Sequence, residues 1–188
     1  MPNADGSAVA GIDRPPWNAP NTMYFYGGPF SNFAPTPDLW LPYGYYGHTE
    51  TDQVAVQTVE HWFQACKATS RREFDRILGC SSAGEAKRAG RELQLRSDWE
   101  QVKFGVMLFA VQGKFALEPY RSALLITYPR PLAEASPSDF VWGARDPDRG
   151  YGGRGYGGRN LLGVALMCAR AELVADVHSR VNALGGTR

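Results

Sequence analysis

Glu60, Gln64 and Lys67 recur at i, i+4 and i+7, while Val59, Trp62, Phe63 and Cys66 recur at i, i+3, i+4 and i+7 within the same segment. On a helix the first set forms a polar stripe beside a core-facing apolar one. A carboxylate, an amide and an amine then share the edge of a buried surface, where partial desolvation can move both ionisations towards neutrality. Such a pair could transfer protons or, with the amine neutral, attack an electrophilic carbon. The same spacing also fits a solvated face carrying a loose Glu–Lys interaction, so the pattern alone leaves both readings open.

Amines are scarce. Of 20 basic residues only Lys67, Lys87, Lys103 and Lys114 are lysines, so chemistry that requires an amine has four candidates. Asp139, directly before the apolar cluster Phe140, Val141 and Trp142, is either a further acid–base group or the cap of the turn that follows. His48, His61 and His178 are scattered, and neither HExxH nor GxSxG occurs. A metal site and a serine triad therefore lack support, and no cofactor is expected.

The elements that must position these groups begin near Met23. Met23 to Tyr26 reads as a strand stopped by Gly27, Gly28 and Pro29, and the Pro-rich, aromatic segment to Tyr46 reads as a wrapped loop with brief strands. Val54 to Gln57 is a further strand candidate. A helix is predicted from Thr58, its N-cap, to about Ser70. Ser82 with Glu85, and Ser97 with Glu100, have the Ser-x-x-Glu spacing of capping boxes. The first opens a short helix carrying Lys87, Arg88 and Arg91. The second opens a helix whose inward stripe is Trp99, Val102, Val106 and Phe109, with Lys103 one turn from Trp99. Tyr120 to Ile126 is helical, and Leu132 to Glu134 is a short edge strand.

The tandem pentapeptide from Gly150 to Arg159, GYGGR twice, runs into Asn160, read as the N-cap of a long last helix. Backbone N–H groups of a glycine loop at a helix start suit a phosphate. The two overlapping GxGxxG matches do not make a dinucleotide fold, because fewer than thirty residues follow the loop and no buried parallel strand precedes it. An RGG-like nucleic-acid segment is a weaker reading for a loop embedded before a helix. A loop without a binding role is the remaining alternative.

Composition bounds the rest. The 188 residues fit one domain with a sizeable core, 44% of them hydrophobic and 12% aromatic. Glycine and proline number 21 and 13, above average usage, which indicates shaped loops. The net charge of +1 hides a gradient, from −5 over residues 1–60 to +5 over 61–130. The middle segment is thus the place for an anionic ligand. Cys66, Cys80 and Cys168 have no CxxC spacing, and the first residues have neither a basic nor an apolar signal region, so a reducing cytoplasmic setting without membrane insertion is expected. Residues 1–20 read as a flexible arm, 21–184 as the domain, and 185–188 as a tail.

Six strings, in order, carry a family resemblance: Gly28-Pro29-Phe30-Ser31-Asn32-Phe33; residues 58–68, TVEHWFQACKA; Ala86 to Arg91, AKRAGR; Asp98 to Lys103, DWEQVK; Asp139 to Gly143, DFVWG; and Gly158 to Gly163, GRNLLG. Together they resemble the NADAR family of YbiA-like N-glycosidases over about residues 23–172. The doubled GYGGR loop and the N-terminal arm depart from that pattern, which bears on substrate preference. The resemblance implies a compact, mainly helical α+β single domain with short strands. It also implies hydrolysis of a base–ribose N-glycosidic bond, with either ADP-ribosylated guanine, in a nucleotide or in DNA, or an early phosphoribosylated riboflavin intermediate as substrate.

Cleaving such a bond places positive charge on the anomeric carbon and negative charge on the leaving base, so a carboxylate, a proton donor and a nucleophile are wanted. Glu60 suits proton transfer. Lys67, and second Lys103, suits attack through a Schiff base. Direct attack by water assisted by Glu60 or Asp139 is the other route. Gln64, Trp99 and Trp142 are expected against base or ribose, with Gly28, Phe30, Ser31 and Asn32 in the loop that contacts the sugar. Arg88, Arg91, Gly143, Gly158 and Asn160 complete the expected binding set, the arginines and the Gly158 to Asn160 helix start taking phosphate. A non-catalytic ADP-ribose or nucleotide reader is the competing class. Oligomeric state is not legible.

Overall fold

The computed structural model describes residues 21–44, 52–144 and 158–185. The expected arm, residues 150–157 of the glycine loop, and the tail beyond Gly185 lie outside them. Among the described residues six α-helices and four short strands follow in the order β1 Met23–Phe25, β2 Trp40–Pro42, β3 Gln53–Ala55, α1 Val59–Ala65, α2 Arg71–Leu78, α3 Ala83–Arg91, α4 Trp99–Phe115, α5 Tyr120–Leu125, β4 Leu132–Glu134 and α6 Leu161–Gly185. This is the expected helix-dominated α+β class.

The core forms where α4 packs on α6, α1 packs on α2, α3 and α4, and α6 covers β4. Trp62, Phe115, Ile77, Met107, Leu124 and Leu166 are among its fully buried side chains. Two two-stranded ribbons edge it. β1 and β4 pair in parallel, Met23 opposite Leu132 and Phe25 opposite Glu134, which brings residues more than a hundred positions apart to one strand end. β2 and β3 pair antiparallel, Trp40 opposite Ala55.

Several local expectations are corrected. The helix from Thr58 does not reach Ser70. Thr58 caps it as predicted, its hydroxyl accepting from His61 N, but α1 closes at Ala65 with Cys66 as C-cap. Ser70 instead caps a separate helix, α2, by accepting from Glu73 N. A Ser side chain that satisfies a free helix N–H competes with helix continuation, and Ser70 does so here while Thr69 Oγ1 donates to the Glu73 carboxylate. Lys67 therefore sits in the bend after α1, where its carbonyl accepts from Arg96 N at 3.1 Å.

The second capping box does not form. Asp98 is the N-cap of α4 without a side-chain cap bond, its carboxylate holds Arg96 at 2.9 Å, and Glu100 pairs with Lys103. In the first, Ser82 Oγ accepts from Glu85 N, but the Glu85 carboxylate turns to Ser81 N, 2.8 Å away. Phe109 is exposed and stacks beside Trp62. The inward face of α4 is Val106, Met107, Ala110 and Val111. The strand expected at Val54 to Gln57 lies at Gln53–Ala55.

Candidate active site

A cleft of about 260 Å³ opens between α1, α3, α4, the 28–33 turn and the segment after β4. Its floor is aromatic. Phe63 packs at 5.1 Å between ring centroids against both Trp99 and Trp142. Edge-on contacts of this kind hold ring positions tightly. Trp99 is buried, so it is a core residue as well as a wall of the cleft.

On this floor stand the ionisable groups. Glu60, in the first turn of α1, is 4% exposed, and its Oε1 accepts from Gln64 Nε2 at 2.7 Å. Burial raises its pKa, opposed by the Gln64 bond and by Lys87 and Lys67. Glu60 N also donates to Asn32 O at 3.0 Å, tying the 28–33 turn to the helix start. Lys67 Nζ lies 5.7 Å from the centroids of Phe63 and of Trp99. Burial lowers its pKa to about 8; Glu60 opposes the shift, and Lys87 and Arg91 add to it. At pH 7 about one tenth of such amines are neutral, against less than about one in a thousand for an ordinary lysine.

The other cations differ in their engagement. Lys87 Nζ is 3.7 Å from Asp139 Oδ2, and the Lys103 amine is held by Glu100. Asp139 caps the turn that follows it and also faces the cleft. Its Oδ1 caps the following turn by accepting from Val141 N at 3.0 Å and Trp142 N at 2.9 Å, while Oδ2 faces Lys87 in the cleft.

Of the residues expected from sequence, Glu60, Lys67, Asp139, Lys103, Ser31, Asn32, Gln64, Arg91, Trp99 and Trp142 line this cleft. Ser31 Oγ accepts from Phe33 N within its own turn, and Asn32 Nδ2 donates to Met107 Sδ at 3.2 Å, tying that turn to α4. Six expected residues lie elsewhere in the fold. Phe30 is buried against Phe25 and Phe115, and Gly28 supplies the turn's positive φ of 64°. Arg88 is exposed on α3 outside the cleft lining. Gly143 and Gly158 pack backbone to backbone, a Cβ on Gly158 falling 2.1 Å from Gly143 O.

Asn160 is fully buried at φ 52°. Its Oδ1 accepts from Glu134 N at 3.0 Å and its Nδ2 donates to Leu132 O at 2.8 Å. It joins the α6 start to β4, and with the side chain fully buried and its backbone N–H donating to Gly143 O at 3.0 Å it presents no donor to the cleft.

The sequence reading missed Phe33, Glu134, Met107 and Val141 as cleft residues, and took Phe63 only as core and Glu100 only as a cap. Glu134 stands at the C-terminal end of β4 with its pKa raised to about 7 by burial and by Asp139. A carboxylate ending an apolar strand was the one available signal. Among the described residues no cluster of His, Cys, Asp and Glu could hold a metal ion, and no helix is long and apolar enough to cross a membrane.

Fold and cleft together define a small α+β protein with a desolvated Glu–Lys centre on an aromatic floor. The chain belongs to the NADAR domain family, whose profile matches residues 24–174. It is 36% identical over 152 residues to the N-glycosidase YbiA of Escherichia coli, covering 79% of this chain and 83% of that protein. The N-glycosidase Npun_R5314 of Nostoc punctiforme is 32% identical, with 81% and 92% covered. The maize chloroplastic riboflavin biosynthesis protein PYRR is 35% identical over 163 residues, 80% of this chain, but the match spans only 24% of that longer protein. The NMR structure of E. coli YbiA superposes with a TM-score of 0.64 at 32% identity, covering 83% of this chain and 87% of that one.

Proposed function

We propose that this protein is an N-glycosidase that hydrolyses the base–ribose bond of a phosphorylated nucleoside-type substrate, with ADP-ribosylated guanine, in a nucleotide or in DNA, as the first substrate to test. The observation that carries the reading is that buried Glu60 and Lys67 line one cleft, the Lys67 amine desolvated over Phe63 and Trp99 with no hydrogen bond or ion pair among the described residues. Lys103 is the poorer nucleophile because Glu100 holds its amine.

In this reaction the neutral Lys67 amine attacks the anomeric carbon as the bond to the base breaks, and Glu60 delivers its proton to the departing nitrogen. The ring oxygen then leaves the same carbon, taking the proton that the lysine nitrogen loses, to give a Schiff base with the opened sugar. Water adds to that carbon, and collapse of the adduct releases the sugar aldehyde, restores the neutral amine and returns the released proton to Glu60. Trp142 and Phe33 flank space for the base, and Arg91, exposed at the edge of the cleft, offers a cation to phosphate.

The relatives' association by name with riboflavin biosynthesis favours a second substrate, an early phosphoribosylamino-pyrimidine intermediate. Incubation with ADP-ribosylated guanosine, ADP-ribosylated DNA and the phosphoribosylated pyrimidines, read by release of free base, decides between them. Tight binding of ADP-ribose without release from any substrate would leave a nucleotide reader. Borohydride added during turnover should attach the sugar to Lys67. Turnover that yields no adduct, with Lys67→Ala still active, would indicate water attack assisted by Glu60 or Asp139.

A further inference from the structure

The carboxyl groups in the cleft differ in what already holds them. Glu60 receives Gln64, Asp139 receives two backbone N–H groups and faces Lys87, and Glu100 holds Lys103. Glu134 lines the same cleft, yet its carboxyl has no hydrogen bond or ion pair among the described residues. Its backbone is fixed on both sides. Glu134 N donates to Asn160 Oδ1 at 3.0 Å, and Glu134 O accepts from Ala144 N at 2.8 Å. The neighbouring Gly143 N donates to Asp139 O at 3.1 Å, so the strand end is tied to the turn that carries Asp139. A rigidly mounted, half-buried carboxyl that faces the cleft without a protein donor keeps its acceptor oxygens free for donors that a ligand brings.

A carboxylate accepts from two adjacent hydroxyls at once, and the vicinal diol of a ribose presents that pair. We propose that Glu134 accepts the hydroxyl hydrogens of the ribose whose anomeric carbon is attacked, and so makes the site selective for ribosides over 2-deoxyribosides. The proposal rests on the N-glycosidase reading and adds the group that orients the sugar. Ser31 and Asn32 are weaker candidates, since Ser31 Oγ and Asn32 Nδ2 are engaged with Phe33 N and Met107 Sδ.

The test compares kcat/KM of the full chain, Glu134→Ala and Glu134→Gln on an N-riboside substrate and on the same compound with 2-deoxyribose at the scissile bond. Comparing each variant with the unmutated protein on one substrate cancels the differing intrinsic lability of the two bonds. Glu134→Ala should lower riboside turnover about 10- to 100-fold and deoxyriboside turnover less than about threefold. Glu134→Gln, which keeps one acceptor oxygen, should fall between and carries the test if the alanine variant does not fold. Equal losses on both substrates, or none on either, would overturn the assignment. If the unmutated protein cleaves neither compound, the N-glycosidase reading fails first. Calorimetric titration with ribose 5-phosphate and 2-deoxyribose 5-phosphate then judges Glu134 alone. A preference for ribose that disappears in Glu134→Ala supports its role, and no preference overturns it.

Discussion

Gln64 is wedged against Gly90: a Cβ at position 90 would lie 2.1 Å from Gln64 Oε1 and 3.0 Å from Gln64 Cβ. The α1–α3 contact is thus closed over the amide that holds Glu60 at 2.7 Å. Gly90→Ala should displace that amide, costing about 1–3 kcal/mol of stability and moving the Glu60 limb of the pH–rate profile to higher pH. The stability loss should shrink in the Gln64→Ala background, where most of the obstructing atoms are gone. Additive losses in urea titrations of the two single variants and the double variant would break this link.

Lys67 has its pKa lowered to about 8 by burial. With Glu60 as the proton donor in the same step, the reactive form has a neutral Lys67 and a protonated Glu60, so turnover should hold a plateau bounded by that value on the alkaline side and fall above it. Lys67→Arg keeps a cation but not a nucleophile. It should lose at least about a thousandfold in kcat with little change in product binding. A pH–rate profile flat between pH 7 and 9, with no presteady-state lag, would contradict amine attack.

Asn160 is a fold residue in this structure. Asn160→Ala removes two hydrogen bonds to β4 and places alanine at a φ of 52°. It should cost about 2–4 kcal/mol in thermal or denaturant unfolding. A phosphate ligand would instead show as a raised KM with an unchanged melting temperature.

Lys114 is 1% exposed, donates to Ser31 O at 2.8 Å, and has its pKa lowered to about 7 by burial. Between that value and the ordinary lysine range the unfolded chain binds more protons than the folded one, so this residue makes stability rise with pH over that window. Glu134, raised to about 7, acts with the opposite sign: from the ordinary glutamate range up to pH 7 the folded state holds the extra proton, and stability falls as pH rises. Subtracting Lys114→Met from the unmutated protein should therefore leave a difference growing from pH 7 to 9. Subtracting Glu134→Gln should leave one growing from pH 7 down to 5. Each should reach the order of a few kcal/mol in chemical denaturation. Differences that are flat with pH would show that these groups stay solvated.

The local rules visible in the sequence decided much. The 3.6-residue periodicity of Val59, Trp62, Phe63 and Cys66 named the face of α1 that the core takes, and Thr58, Ser82 and the Leu132–Glu134 run marked element starts that the chain keeps. Where it failed, two local preferences competed. Ser97-x-x-Glu100 had a cap's spacing, but Arg96 drew Asp98 and Lys103 drew Glu100, because a charge-assisted pair outbids a neutral cap. At Ser70 the neutral cap won instead, opening α2 where the apolar spacing alone continued the first helix.

What the sequence by itself determined is a one-domain, helix-rich chain in which Glu60, Gln64 and Lys67 share an edge, because helix spacing is a property of neighbours. What only the tertiary structure decided is their chemical environment. Burial of Glu60 comes from α3 closing at Gly90, desolvation of Lys67 from the bend after Ala65 laying it over Phe63 and Trp99, and the placement of Glu134 from parallel pairing of β4 with a strand over a hundred residues earlier. A pKa depends on the dielectric and charge around a group, and those are set by residues brought together through packing.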